Sequence, residues 1–136
     1  MNVFCYGSLM FSEVWNRIVK GSYPSKLGLV KGYERRKVKG VTYPCLIKNN
    51  DRKKVEGVIY FDVDKQDLLK LDQFEGAEYE RIGEVAYLKN GGCVEVELYL
   101  WRNKYLNLVE TEQWDVQWFE TVGISLFLNR YQGFIE

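Results

Sequence analysis

Glu75 is the side chain in this sequence whose position is hardest to explain by stability alone. It lies between Phe74 and Gly76 at the predicted end of a helix, where the negative end of the helix dipole disfavours a carboxylate. If Phe74 and nearby aromatic residues also exclude water, the pKa of the carboxyl rises toward neutrality, as a general base requires. The alternative is a partly exposed glutamate before a helix-terminating glycine. A fully exposed Glu75 would therefore count against catalysis.

The 136 residues include no histidine, which restricts the available chemistry. Neither a Ser-His nor a Cys-His nucleophile pair can form, and the commonest ligand of transition metals is missing. Proton transfer must therefore use carboxyl, amino, phenol or thiol groups. Ser8 follows Gly7, but Gly7-Ser8-Leu9-Met10 lacks the second glycine of a nucleophile elbow. We interpret Ser8 as a hydrogen-bond donor in a loop and not as a nucleophile.

The first ten residues form a second unusual stretch. Val3 to Tyr6 has the composition of a short buried strand, and Gly7 breaks it because glycine tolerates a positive φ. Ser12 resembles the N-cap of a following helix. Such a turn leaves the N–H groups of Gly7, Ser8 and Leu9 free to hold a carboxylate or a developing oxyanion. A strand that simply ends in a glycine turn is the alternative, and a P-loop is excluded because no Lys or Thr follows.

Strand-forming residues dominate the middle of the chain. The predicted strands are Leu27 to Lys39, Tyr43 to Lys48, Val55 to Val63, Glu80 to Lys89 and Cys93 to Trp101, the last two joined by a hairpin turn at Asn90-Gly91-Gly92. In the last strand Val94, Val96, Leu98 and Leu100 fall on one face, and Glu95, Glu97, Tyr99 and Trp101 fall on the other. We expect half of this hairpin to face the core.

Three helical regions accompany these strands. The first presents Phe11, Trp15, Ile18 and Val19 at helical spacing and stops near Gly21, and the second is opened by Asp64 and runs from Lys65 to about Phe74. The final segment, with Gly123 inside it, predicts two short amphipathic helices. Because strands and helices do not alternate regularly, residues 1–136 are predicted to form one α+β domain with a curled, mostly antiparallel sheet.

Composition excludes several functional classes. The 19 Lys and Arg residues balance 19 Asp and Glu residues, so no net field favours nucleic acid or an anionic membrane surface. No apolar run approaches a membrane span and no signal-peptide pattern is present, so we expect a soluble cytoplasmic protein. Cys5, Cys45 and Cys93 fit neither a disulfide framework nor a zinc site, and we interpret them as buried thiols. The oligomeric state is left open.

Several motifs occur together in a characteristic order. Tyr6-Gly7-Ser8-Leu9 ends an amino-terminal strand, Leu71-Asp72-x-Phe74-Glu75-Gly76-x-x-Tyr79-x-Arg81 follows 65 residues later, and the chain also contains Tyr43-Pro44, Trp114, Phe119 and Tyr131-x-Gly133-Phe134. In this order the motifs resemble the γ-glutamylcyclotransferase-like family, specifically its small avirulence-induced-gene-like branch. The resemblance covers nearly the whole chain and is more specific for the fold than for the reaction.

The resemblance implies a small mixed, mostly antiparallel β-barrel with short peripheral helices, whose Tyr6-Gly7-Ser8-Leu9 loop forms a pocket for a γ-glutamyl substrate. Glu75 occupies the position of the family's general acid/base. The implied reaction is an intramolecular aminolysis, in which the α-amine attacks the γ-carbonyl and releases 5-oxoproline and a free amine. No metal or cofactor is required, because the substrate supplies its own nucleophile.

The reaction imposes a quantitative condition on Glu75. An ordinary glutamate with a pKa near ~4.3 faces an α-amine near ~7.8, a gap of roughly 3.5 units or about 5 kcal/mol against proton transfer. Burial raises the pKa of a carboxyl by up to about 3 to 5 units, so Glu75 must be desolvated. Tyr79 is expected to orient the carboxylate or the substrate, with a core aromatic as the alternative. Tyr6 is counted with the substrate-binding loop, beneath which we expect it to pack.

Two other functions fit the sequence. A non-catalytic module that binds a small carboxylate could keep the pocket with Glu75 turned outward, and a protein-interaction barrel would expose an apolar patch around Trp101, Trp114 or Trp118. The enzyme requires the loop N–H groups and the Glu75 carboxylate to open onto one pocket. The leaving amine is left open, because its wall can be formed by any of Tyr33, Tyr43, Tyr99 and Trp101.

Overall fold

A computed structural model describes residues 1–50 and 52–130, and a closed barrel of five strands forms their centre. The strands of the described residues are β1 (Val3–Cys5), β2 (Ser25–Lys31), β3 (Tyr33–Val38), β4 (Pro44–Lys48), β5 (Lys54–Tyr60), β6 (Tyr79–Leu88), β7 (Cys93–Trp101) and β8 (Val109–Gln113). The barrel order is β1-β5-β2-β6-β7, and its pairs are antiparallel except for β1 beside β7. The predicted fold class is confirmed.

Short helices surround the barrel. They are a 3₁₀ turn (Ser8–Met10), α1 (Ser12–Ile18), α2 (Lys65–Glu75), a second 3₁₀ segment (Asn103–Leu108), α3 (Val116–Trp118), a π-helical segment (Phe119–Gly123) and α4 (Ile124–Arg130). Helix α2 begins where the Asp64 side chain accepts a hydrogen bond of 2.8 Å from the N–H of Asp67. It ends at Gly76, whose φ of 84° is one that glycine adopts without strain. The predicted cap and terminator of α2 are both confirmed.

The apolar residues form two clusters, and β7 contributes to both. Val96 and Leu98 pack inside the barrel, whereas Tyr99 and Trp101 pack in the cluster beneath the helices. The predicted alternation is therefore confirmed, but Tyr99 and Trp101 are buried as well. Alternation places them on the outer face of the barrel, but other elements cover that face at the carboxyl end of β7. One end of the strand is consequently buried on both sides.

Three predicted boundaries differ from the structure. The single strand predicted over Leu27 to Lys39 is two strands in different sheets, since β3 belongs to a small second sheet of order β4-β3-β8. Strand β8 carries mostly exposed polar side chains, so hydrophobic patterning gave no signal for it. Segments α3 and α4 are joined by the π-helical residues into one continuous helical run, and the predicted motif at 131–134 lies outside the described residues.

The three cysteines do not share one environment. Cys5 and Cys45 are buried free thiols, but Cys93 is exposed at the start of β7, beside the hairpin turn. The prediction of a buried thiol is therefore wrong for Cys93. Among the helices that the structure describes, none is long and apolar enough to span a membrane.

Candidate active site

A pocket lies between the loop after β1 and the carboxyl end of α2, and we refer to it as the Glu75 pocket. Its space, including the part open to solvent, is about 500 Å³. The lining residues are Phe4, Cys5, Tyr6, Gly7, Ser8, Leu9, Tyr43, Pro44, Phe74, Glu75, Tyr79, Tyr99 and Phe127. Every site residue predicted from the sequence is among them.

The loop after β1 turns through a short 3₁₀ segment. The N–H of Met10 donates to the carbonyl of Gly7 at 3.0 Å, and that of Phe11 donates to the carbonyl of Ser8 at 3.2 Å. Gly7 has a φ of −131°, so the prediction of a positive φ is wrong. Glycine is needed there for another reason, because a Cβ would lie 2.7 Å from Cγ of Pro44. The absence of a side chain lets β4 approach the loop.

Ser12 does not cap the helix that follows the loop. It is the first residue of α1, Phe11 occupies the N-cap position, and no side chain makes a capping hydrogen bond. The helix start is instead fixed by the bonds from the N–H groups of Val14 and Trp15 to the carbonyl of Phe11. The predicted start of the helix is therefore correct within one residue, whereas the predicted cap is wrong.

The N–H groups of Gly7, Ser8 and Leu9 form no hydrogen bonds within the described part of the chain. The loop itself is held from behind, because Nη1 of Arg35 donates to the carbonyl of Tyr6 at 2.7 Å. The three N–H groups are thus free to bind a ligand on a loop whose backbone is already fixed.

Glu75 is the last residue of α2 and is half-buried, with part of its surface toward the pocket opening. Burial, together with the negative charge of Asp72, raises the pKa of its carboxyl to about 8. No hydrogen-bond donor or cation among residues 1–50 and 52–129 pairs with this carboxyl. Glu75 therefore has the desolvated environment that the sequence interpretation required of it.

The two predicted tyrosines have their hydroxyl groups occupied. The Tyr79 hydroxyl donates to the carbonyl of Pro44 at 2.7 Å, and the Tyr6 hydroxyl donates to the carbonyl of Tyr99 at 2.5 Å. Both are buried, and each presents its ring to the pocket. Neither hydroxyl forms a hydrogen bond to Glu75. Tyr79 therefore forms part of the pocket wall beside Glu75, and Tyr6 packs beneath the loop.

Aromatic side chains form the remaining walls. Of the four candidates left open by the sequence, Tyr43 and Tyr99 line the pocket, whereas Tyr33 and Trp101 lie elsewhere. Sequence reasoning missed Phe127, whose ring packs against Phe74 at 5.8 Å between centroids. Helical periodicity did not single out Phe127, because no local pattern relates α4 to the end of α2.

The exposure of the tryptophans bears on the interaction-barrel alternative. Trp101 and Trp114 are 3% and 6% exposed, and Trp118 is 42% exposed. The apolar patch which that alternative requires is therefore absent around Trp101 and Trp114. Within the described residues, no three Cys, Asp or Glu side chains gather as a metal site would require.

Comparison with known proteins places this pocket in a family. The sequence profile of the family described as gamma-glutamyl cyclotransferase, AIG2-like, matches residues 3–116, which include both the loop and Glu75. The chain belongs to the AIG2-like gamma-glutamyl cyclotransferase family. Protein AIG2 C of Arabidopsis thaliana is 33% identical over 136 residues, which are 99% of this chain and 81% of that protein.

Solved structures agree with this assignment to the AIG2-like gamma-glutamyl cyclotransferases. A solution structure from Arabidopsis thaliana superposes with a TM-score of 0.72 at 30% identity, covering 99% of this chain and 81% of the other. A solved gamma-glutamyl cyclotransferase gives a TM-score of 0.64 at 19% identity, covering 81% of this chain and 68% of that one. The latter likeness shows the fold.

Proposed function

We propose that this protein is a γ-glutamylcyclotransferase that closes the γ-glutamyl group of a γ-glutamyl amine or peptide to 5-oxoproline and releases the free amine. Glu75 is its general acid/base. One observation carries the proposal: the Glu75 carboxyl lines the same pocket as the Gly7, Ser8 and Leu9 loop, and its pKa is raised to about 8. A non-catalytic binding module has no need of a carboxyl tuned in this way.

The raised pKa matches the task of Glu75. An α-amine has a pKa near ~7.8, so proton transfer from it to Glu75 is close to balanced, where an ordinary glutamate would face about 5 kcal/mol. Efficient general acid/base catalysis uses groups with a pKa near the working pH. The same carboxyl can therefore accept a proton early in the reaction and return one later.

The reaction needs only the substrate and Glu75 for its bond changes. Glu75 takes a proton from the α-ammonium, and the neutral amine then attacks the γ-carbonyl and forms the ring C–N bond. Glu75 gives this proton to the leaving nitrogen as the original C–N bond breaks. It then accepts the second proton from the ring nitrogen and passes it to the departing amine, which leaves as an ammonium ion. Substrate folding within the pocket supplies the proximity that makes this attack favourable.

The loop after β1 supplies the hydrogen-bond donors. The N–H groups of Gly7, Ser8 and Leu9 bind the substrate α-carboxylate or the oxyanion that develops on the γ-carbonyl. Their support by Arg35 means that little reorganisation is needed when charge develops. Tyr6 and Tyr79 bind the substrate through their rings. We assign the protein to the cytoplasm, where buried free thiols such as Cys5 remain reduced.

The test is turnover of a panel of γ-glutamyl amines and γ-glutamyl amino acids, with 5-oxoproline as the readout. At least one member should be cyclised, and Glu75→Gln should lower kcat/KM by about 10²–10⁴-fold, the usual contribution of a general acid/base. Glu80→Gln is the matched control, since Glu80 is an exposed carboxylate on β6. A panel without any turnover, or a fully active Glu75→Gln, would refute the proposal.

A further inference from the structure

An ionic network lies one helical turn before Glu75. The guanidinium of Arg81 contacts both oxygens of Asp72, with Nε 3.0 Å from Oδ1 and Nη2 3.3 Å from Oδ2, and its Nη1 donates to Glu97 at 2.9 Å. The hydroxyl of Tyr99 donates to Oδ1 of Asp72 at 2.6 Å. One cation thus serves two carboxylates, and a pocket-lining tyrosine is tied to the same carboxylate.

Asp72 and Glu75 are neighbours because residues three apart lie on one face of a helix, about 5–6 Å between Cβ atoms. A guanidinium that contacts Asp72 is therefore within one side chain's reach of Glu75. Pairing between Arg81 and Glu75 would fix Glu75 as a charged carboxylate and remove it from proton transfer. The observed contacts direct Arg81 to Asp72 and Glu97 instead.

We propose that Asp72 is a positioning residue for Glu75: it holds Arg81 and Tyr99 to itself, so that the cation is kept from Glu75 and the Tyr99 ring stays in the pocket wall. This inference rests on the proposed function of Glu75 as acid/base. Asp72 does not line the pocket, and it acts through Arg81, Tyr99 and its own charge.

The groups that face Glu75 support this assignment. The titratable side chains that act on it or share its pocket are Asp72 from α2, Cys5 from β1, Tyr6 just after β1, Tyr43 before β4, Tyr79 from β6 and Tyr99 from β7. Burial raises the pKa of Cys5, Tyr6, Tyr79 and Tyr99, so these four are neutral near pH 7. Burial is the larger cause of the raised pKa of Glu75, and Asp72 is the charged neighbour whose field raises it further.

Opposite substitutions in the pair should move Glu75 in opposite directions. Asp72→Asn removes the negative charge and releases Arg81, so the pKa of Glu75 should fall by about one unit. Arg81→Met removes the cation and leaves Asp72 without its counter-charge, so the pKa of Glu75 should rise. Tyr99→Phe keeps both charges and loses only the hydroxyl contact, so it should move the pKa less than either and chiefly raise KM. A network with a purely structural role would not shift the pKa of Glu75 in opposite directions in Asp72→Asn and Arg81→Met.

The experiment is a ¹³C NMR titration of the Glu75 side-chain carboxyl, whose signal is assigned by its disappearance in Glu75→Gln. It is carried out on the parent protein, Asp72→Asn, Arg81→Met and Tyr99→Phe, with Glu80→Gln as the control. The control should titrate like the parent. The acid limb of the kcat/KM profile should shift with the NMR pKa in each variant. Shifts of equal sign in Asp72→Asn and Arg81→Met, or no shift in either, would overturn the assignment.

The titration needs no turnover, so it separates this inference from the proposed function. Opposite shifts with no 5-oxoproline from any substrate would leave the role of Asp72 in setting the Glu75 carboxyl intact and refute the enzyme. Turnover of a substrate without any shift of the Glu75 titration would support the enzyme and refute the role of Asp72. If Asp72→Asn fails to fold, the direction of the shift in Arg81→Met decides alone.

Discussion

Two carboxyl groups at opposite ends of helix α2, those of Asp67 and Glu75, are in opposite states. Asp67 near its start accepts hydrogen bonds from the N–H groups of Lys20 and Gly21 and from the hydroxyl of Tyr23, at 2.9, 2.9 and 2.6 Å. Burial pushes its pKa upward, but these donors together with Lys70 outweigh burial and hold the pKa below its usual value. Glu75 at the other end has burial without donors, and its pKa rises to about 8.

The difference between the two residues shows that burial alone does not decide what a carboxylate does. A desolvated carboxylate that receives several hydrogen bonds is stabilised as a charge and becomes a structural anchor. Asp67 ties the segment after α1 to α2 in this way. A desolvated carboxyl beside another negative charge holds its proton until near neutral pH, and this makes it available for proton exchange. The surroundings at the two ends of α2 therefore give Asp67 a structural role and make Glu75 available for proton exchange.

Removing Glu75 should separate activity from stability. The native state holds a proton on Glu75 up to about pH 8, whereas the unfolded chain loses it near ~4.3, so stability falls as pH rises through this window. Glu75→Gln removes that penalty and should raise the free energy of unfolding by up to about 4 kcal/mol at pH 8, while activity is lost. Urea unfolding at pH 5 and pH 8 measures it, and an equal difference at both pH values would contradict the raised pKa.

Asp67→Asn should behave in the opposite way. The lowered pKa means that the charged Asp67 stabilises the fold above ~3.9, and that this stability is lost as pH falls through the lower native pKa. The substitution should cost about 2–3 kcal/mol near pH 7, since hydrogen bonds to a charged group are broken. The difference from the parent should shrink below pH 4, and kcat/KM should be preserved at temperatures where the variant is folded. Lost activity in a folded Asp67→Asn would remove the contrast with Glu75.

The loop after β1 can be tested by placing a side chain at Gly7. In Gly7→Ala the new Cβ meets Pro44 at 2.7 Å, so the loop must shift and its N–H groups lose their aim. A misplacement of about 1 Å commonly costs on the order of 10²-fold in rate. Gly83→Ala is the control, because its nearest atom would be 3.8 Å away. Full activity in Gly7→Ala would show that the loop does not position the substrate.

Local signals in the sequence predicted a curled sheet and α2, whereas the barrel and the Glu75 pocket were expected from the resemblance to the family. The alternation in β7, the Asp64 cap and the Gly76 terminator act within a few residues, and the motif order linked Glu75 to the Gly7 loop. Phe127 gave no such signal, because its place in the pocket depends on how α4 packs onto the end of α2. Gly7 was interpreted from the conformational freedom of glycine, but the structure requires glycine there because Pro44 approaches closely. That approach is a tertiary contact, which no local pattern indicates.

Predictions about pKa also succeeded where the cause is local in the sequence and failed where the cause is a tertiary contact. The helix dipole and the neighbouring Phe74 indicated from the sequence that Glu75 is perturbed, and the structure agrees in direction. The role of Asp72 was not foreseen, although it lies in the same motif, because its partners Arg81 and Tyr99 come from β6 and β7. Asp67 was not foreseen either, since its donors come from the distant segment after α1.

The smallest expected effect concerns the hydroxyl of Tyr79, which lies beside Glu75 but bonds elsewhere. Tyr79→Phe leaves the carbonyl of Pro44 without its donor and should cost about 1–2 kcal/mol of stability. The ring remains in the pocket wall, so kcat/KM should stay within a few-fold of the parent. Tyr87→Phe is the control, since Tyr87 is exposed on β6. A loss of activity comparable to that of Glu75→Gln would show that the Tyr79 hydroxyl takes part in the reaction itself. Tyr79 would then belong with Glu75 among the residues that transfer protons, and not among those that form the pocket wall.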